Sequence, residues 1–383
     1  VGKPAHRATL GHLPALDGLR GVAVLGVLLF HADYLRGGYL GVDLFFVLSG
    51  YLITSLLIAE HAATQRIDLP AFWVRRARRL FPALLAVMLA VAVYARVFAL
   101  AGDLARIRQD GLATLAYVAN WSTIFAHRSY WDLFAAPSPL EHTWSLAIEE
   151  QFYVVWPLLA VGVLRASHGS RRMLLGAAVG LAVVSAVAMA VLYDSIRTSR
   201  AYLGTDTRGA AILVGAALAA GLSLIGRLSS LRAVRALDAL GLVSAAGLAV
   251  AWYGLDGQSA FLYRGGFWLA ELGVLVLIAC AAHDRQSLVA RVLAFRPLAI
   301  VGLVSYGVYL WHWPIFIVLT AERVHVGGVM LACLRFAATF AVAALSYRLL
   351  EQPIRKRGLT FGRPIVIVPS AFALAAVALI GST

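Results

Sequence analysis

Charge is what this 383-residue chain has least of: Asp, Glu, Lys and Arg make up 14% of it, against 61% hydrophobic residues. A soluble domain carries about a quarter charged residues, so the composition excludes an ordinary soluble enzyme and leaves a polytopic membrane protein. Lysine is almost missing, with only Lys3 and Lys356, and the net charge of +14 rests on arginine. Those arginines lie in short segments between apolar runs, a topology pattern and not a groove for nucleic acid, so no nucleic-acid partner is expected. Cysteine is limited to Cys280 and Cys333. Both sit in apolar runs without CxxC spacing and read as buried thiols, neither a disulfide nor a metal site. No histidine has ligand spacing, so no metal is expected. There is no internal repeat and no low-complexity tract. The N-terminus has no cleavable-signal pattern, because its first apolar run leads straight into a second.

Long apolar runs are what the chain does have. Spans are predicted near 16–35, 40–59, 80–100, 144–164, 173–192, 206–225, 236–253, 266–283, 298–320, 327–350 and 364–382. That is an all-α polytopic membrane protein, a bundle of about 10–11 transmembrane helices. With the N-terminus cytoplasmic, Lys3, Arg7, Arg66, the cluster Arg75 to Arg79, Arg165, Arg171, Arg172, Arg227, Arg232 and Arg235 share one side. Arg285, Arg291, Arg296, Arg355, Lys356, Arg357 and Arg363 join them, and the other side keeps singles such as Arg36, Arg264 and Arg323. The bias orients the bundle. If residues 104–130 crossed, every later loop would invert. They are therefore expected on the outer face, with 112–125 a helix at the interface.

The first two runs form a hairpin about Arg36-Gly37-Gly38, and Arg20, His31, Asp43 and Ser49 lie within or beside it. Ionisable groups there are costly and mark function by default. Arg20 and His31, eleven positions apart, share a helix face after about three turns. His31 stands six residues before Gly37 and Asp43 six after it, so a symmetric hairpin puts imidazole and carboxylate at similar depth.

Specific blocks follow in order: LDGLRGVAVLGVLLFHAD, GYLGVDLFFVLSGYLIT, FWVRRARRLFPAL, LEHTWSLAIEEQFYVVWPLL, SYGVYLWHWP and LLEQP. Together they resemble the membrane acyltransferase-3 family over roughly residues 13–355. The resemblance implies transfer of an acyl group, acetyl by default or succinyl, from cytoplasmic acyl-CoA (acetyl-CoA or succinyl-CoA) to a hydroxyl of an envelope polysaccharide or glycolipid. It implies a multi-pass protein of the bacterial plasma (inner) membrane, and it maps the family's Arg-x10-His pair onto Arg20 and His31. The family's basic motif maps onto Arg75, Arg76, Arg78 and Arg79. Residues 1–355 are then the acyltransferase domain and 356–383 a basic linker with an additional span. Some members carry an outside domain after such a span, so a periplasmic domain beyond the last helix is a further expectation.

The residues themselves suit these roles. A neutral His31 can serve as general base toward an attacking hydroxyl. Asp43 is placed to orient its tautomer, and Arg20 to stabilise an oxyanion or neutralise CoA phosphates. The plainer alternative is a cluster that only locks two helices. Arg75 with Arg78, and Arg76 with Arg79, stand at i,i+3 and can clamp phosphates; topology and anionic lipid are the plain reading. Ser138-Pro139-Leu140-Glu141 has the N-cap, N1 and N3 residues of a helix start. Beyond it His142, Ser145 and Glu149 make a polar stripe beside Trp144. Glu149 is placed to orient an acceptor hydroxyl or to pair with an arginine. Trp144, Tyr153 and Trp156 suit sugar stacking or an interfacial belt. Asp206 and Arg208 form a possible pair at the acceptor side. Tyr309 and His312 share a face, His312 being a second acid–base group or a packing histidine. Glu351 is placed to hold the basic cluster. A transporter or flippase for a lipid-linked sugar competes, but it predicts repeats that are missing. A non-catalytic scaffold leaves the polar clusters unexplained.

Overall fold

A computed structural model describes residues 12–131, 138–226, 230–283, 287–357 and 364–383. Among them every regular element is helical. Nine helices are long and apolar enough to cross a membrane, and a pair bent by 70° supplies a tenth. The spans are α1 (Pro14–His31), α2 (Gly41–Thr64), α3 (Leu69–Val97), α4 (Thr143–Ala166), α5 (Arg171–Leu192) and α6 (Thr205–Ile225). They continue with α7 (Leu231–Gly254), α8 (Phe267–Ala282), α9 (Ser305–Val318, bent against Arg296–Leu303) and α10 (Gly328–Ser346). A further apolar helix, α11 (Pro364–Ser382), follows. Val183, Val184, Val187 and Val191 of α5, and Leu240, Val243 and Val250 of α7, are exposed. Such apolar faces suit lipid as solvent. Lys3, Arg7, Arg227, Arg285 and Arg363, which enter the orientation argument, lie outside the described residues.

The chain forms two units, Val1–Leu69 with Ile148–Leu303, and Pro70–Ala147 with Val304–Thr383. In the first, helices meet backbone to backbone at glycines. A Cβ on Gly50 would stand 1.8 Å from the Ile212 carbonyl oxygen, and one on Gly215 1.8 Å from that of Val47. Small residues permit this approach, and it is a main source of helix association where lipid removes the hydrophobic drive. Asp43 meets Arg208 near the start of both helices and Val47 and Tyr51 meet Gly215 further along, so α2 and α6 run parallel. Glycine also seats Gly302 on the Asp17 carbonyl of α1 and Gly18 on that of Leu293.

Helix α4 runs parallel to α2 as well, since Glu149 and Tyr153 reach Ser49 while Trp156 Nε1 donates to Thr54 at 2.8 Å. The helix expected over 112–125 is instead two, Ala101–Leu115 and Ala119–Phe125. Tyr117 breaks it with φ 55°, and Val118 N–H closes on the Ala113 carbonyl at 2.8 Å.

The second unit packs α3, residues 101–115, α9 and α11 around Leu84, Val87, Met88, Ile107, Leu310 and Leu379. Two expectations change here. The basic segment is not a loop before the third span, because α3 begins at Leu69 and carries Arg75 to Arg79 within it. The Ser138 cap closes a turn, with Ser138 N–H donating to Glu141 at 3.2 Å, while the helix proper starts at Thr143. Cys280 is buried as expected, but Cys333 is exposed, on a helix of which only 22% of the apolar window is buried.

Gly50→Val is expected to destabilise the purified protein by about 1–3 kcal/mol, the cost of overpacking, because backbone cannot yield as a side chain does. Gly162→Ala, with nothing within 4 Å, should leave detergent-solubilised thermal unfolding unchanged.

Candidate active site

His31 is the last residue of α1 and is half-buried. Its Nδ1 lies 3.0 Å from the Val27 carbonyl. A carbonyl only accepts, so Nδ1 carries the proton, and Nε2 is the basic nitrogen of the neutral ring. The orienting group is therefore the helix backbone and not Asp43. The hairpin explains why. A Cβ on Gly41 would touch the Ala23 carbonyl and Val27, and one on Gly38 the Gly26 carbonyl and Phe30. Residues 32–37 fold back on the end of α1, with Tyr34 N–H donating to Leu29 at 2.9 Å. Helix α2 thus begins beside the middle of α1. Asp43 lies about 12 Å below His31 along the axis, at 1.5 Å per residue, and the expected common depth is not found. Arg20, about 16 Å from His31 along α1, donates to Asp17 at 2.8 Å. Asp17 takes His12 on its other oxygen at 2.7 Å. Arg20 and His31 therefore stand too far apart along α1 to act on one reacting carbonyl together.

The partner of Asp43 is Arg208, at 2.7 Å, with both side chains at most 1% exposed. The contact is a close ion pair, at the N···O distance of a charge-assisted hydrogen bond. Rings complete the shell: the guanidinium carbon stands 4.3 Å from the Phe267 centroid, 5.1 Å from Tyr202 and 5.8 Å from Phe46. Arginine suits such stacking through its planar, weakly hydrated cation. Asp206 was expected to pair with Arg208 but binds Arg200 in a fork at 2.9 and 2.6 Å. One turn beyond Phe267, Glu271 is buried, with neither oxygen hydrogen-bonded. Sequence reasoning missed it, although an acid inside the apolar run 266–283 is the signal that singled out Asp43.

Glu149 receives hydrogen bonds at Oε1 from both Ser49 Oγ and Tyr153 Oη. Tyr153 Oη also lies 2.9 Å from Ser49 Oγ, a contact that alternates with the two to Glu149, since each hydroxyl has one proton. The partners are hydroxyls, where an arginine was one of two expectations.

In the second unit His142, Ser145, Tyr309 and His312 do come together. Tyr309 Oη donates to the His142 carbonyl at 2.9 Å and meets Ser145 Oγ at 2.6 Å. His142 Nε2 donates to the Leu310 carbonyl at 3.2 Å, and the two imidazoles lie edge to face with centroids 5.2 Å apart. His312 is fully buried, with Nδ1 2.6 Å from the Tyr309 carbonyl. Trp144 is 2% exposed and stands edge-on to Tyr130, so its faces are not open to a sugar. This is a hydrogen-bonded knot, which favours the packing role for His312. On α3, Arg75 is exposed and Arg76, Arg78 and Arg79 are half-buried. Glu351 accepts from Ser346 at 3.4 Å and lies in the field of Arg79 and Arg355. Among the described residues no His, Cys, Asp or Glu group suits a metal.

These features define a polytopic helical membrane protein whose ionisable groups are gathered inside its units. The chain belongs to the acyltransferase family: the model described as "Acyltransferase domain" matches residues 13–348. It is similar to the "Peptidoglycan O-acetyltransferase OatA" of Listeria monocytogenes, 40% identical over 364 residues, 93% of this chain and 58% of that protein. The "O-acetyltransferase OatA" of Staphylococcus aureus is 39% identical over 355 residues, 91% of this chain and 58% of the relative. The chain thus spans a little under three fifths of the length of the curated relatives it matches. No solved structure matches it.

Two outcomes are expected. Asp43→Ala strands Arg208 in a dry site and should cost about 3–5 kcal/mol, whereas Asp43→Leu with Arg208→Met should recover much of that loss; chemical unfolding of the variants decides. Glu141, outside the spans, is pushed up to about 7 by burial and then by Asp110, despite Arg128. A raised carboxyl stabilises the folded state fully below its ordinary value near 4.5 and loses that contribution as pH climbs through about 7. Thermal scans from pH 5 to 8 should therefore show a fall that Glu141→Gln flattens.

Proposed function

We propose that this chain is the membrane part of an O-acyltransferase that moves a short acyl group, acetyl first among them, from acyl-CoA to a hydroxyl of a cell-wall glycan. The observation that carries this reading is the likeness, over more than nine tenths of the chain, to proteins named O-acetyltransferases. The residues agree with it. His31 has its Nδ1 proton committed to Val27, which makes Nε2 the basic nitrogen, the atom that in this reading takes a proton from an attacking hydroxyl. The arginines of α3 and Arg20 are planar cations suited to the phosphates of CoA. In this reading the N-terminus is cytoplasmic, CoA approaches from that side, and the glycan meets the His31 end from the other, across a bacterial plasma membrane.

Acyl-CoA turnover and binding by the purified protein test it. His31→Ala is expected to abolish turnover while CoA still binds, and Arg76→Ala to weaken CoA binding itself. Wild-type protein that neither binds nor consumes acyl-CoA overturns the reading and favours a transporter of a lipid-linked sugar.

A further inference from the structure

We infer that Ser49 is an acyl-carrying nucleophile, activated by Glu149, which takes the acyl group from the thioester before it reaches the acceptor. The inference rests on the acyl-CoA reading and divides its transfer into two steps. A serine hydroxyl is a poor nucleophile unless a base shares its proton. Here Ser49 Oγ donates straight to the Glu149 carboxylate, and neither residue is fully buried. A tie between helices needs a single hydroxyl on the carboxylate. This one receives two, and Tyr153, 2% exposed, holds the acid and the serine together from one turn further along α4.

Position makes a second base necessary. Ser49 lies eight residues beyond Gly41, which packs at the level of Ala23 to Val27. Continuing that register separates Ser49 from His31 by about 20 Å along the hairpin, and a general base works only within hydrogen-bond reach. His31 therefore cannot serve at Ser49, and Glu149 is in place to do so.

In the first step Ser49 Oγ attacks the thioester carbonyl and its proton passes to Glu149. The carbon–sulfur bond breaks, the CoA sulfur leaves with that proton as a thiol, and an acyl ester remains on Ser49. In the second step a carrier hydroxyl that reaches Ser49 attacks the ester and its proton passes through Glu149 to Oγ, and His31 serves the onward transfer to the glycan at its own end of α1. The acyl–Oγ bond breaks and the serine is restored.

The test uses the full chain in lipid nanodiscs with acetyl-CoA and no acceptor, quenched in acid, with released thiol counted and the protein mapped by mass spectrometry. Wild type should release a rapid burst of thiol and carry an acetyl group on the peptide holding Ser49. Ser49→Ala should lose burst and label, whereas Ser49→Cys should keep a label that neutral hydroxylamine removes. Glu149→Gln should slow labelling by about 10²–10⁴-fold, the usual worth of a general base, with CoA binding unchanged. Thiol release with no acetyl on Ser49, or a full burst in Ser49→Ala, overturns the inference and leaves the acyl-CoA reading standing. No thiol release from wild type overturns both.

Discussion

The first unit depends on two carbonyl oxygens that have no side chain in their way. Gly50 accepts the backbone of Ile212, and Gly215 accepts that of Val47. In lipid, apolar side chains gain little by meeting one another, so close backbone approach and polar contacts decide which helices associate and in what register. The register has a consequence two turns away. Asp43 and Arg208 stand the same seven positions before Gly50 and Gly215, so the contact that fixes the backbones also brings these charges together. A slip of one residue would turn either charge away from the other.

Inside such a bundle every polar group must find its partner within the protein. The first unit answers in three ways. Asp43 and Arg208 neutralise each other inside a shell of aromatic rings. Glu149 gathers hydroxyls. His31 borrows a carbonyl from its own helix, which fixes Nε2 as the basic nitrogen of the neutral ring. The second unit uses a denser answer, in which His142, Ser145, Tyr309 and His312 satisfy one another and the local backbone. The contrast separates the two groups chemically: the first unit keeps basic atoms at half-buried positions, while the second has spent them on structure.

Composition and hydropathy made the helical class and the spans legible, because lipid imposes length and apolarity on each helix separately. Partners were less so. Asp206 stands two residues from Arg208 and was the natural choice for its counter-charge, yet they are too close along one helix to face each other. Arg208 met an acid 165 positions earlier, a contact set by helix packing that no local spacing encodes. The depth of Asp43 was misjudged for a related reason. Counting outward from Gly37 assumes a symmetric turn, whereas residues 32–37 double back and start α2 halfway down α1. Arg75 to Arg79 looked like a loop because charge was taken to end a helix. Long arginine stems let a helix run on past the apolar zone.

Parallel packing of α2 and α6 carries one more consequence, in the field of the backbone itself. Each helix behaves as if a partial positive charge sat at its N-terminus, and two neighbours pointing the same way place those ends together and repel. Asp43 is the third residue of α2 and Arg208 the fourth of α6. The carboxylate therefore answers to two aligned dipoles as well as to one guanidinium. Replacing Arg208 by a neutral residue would still leave that end of the pair electropositive, with Asp43 as its counter-ion.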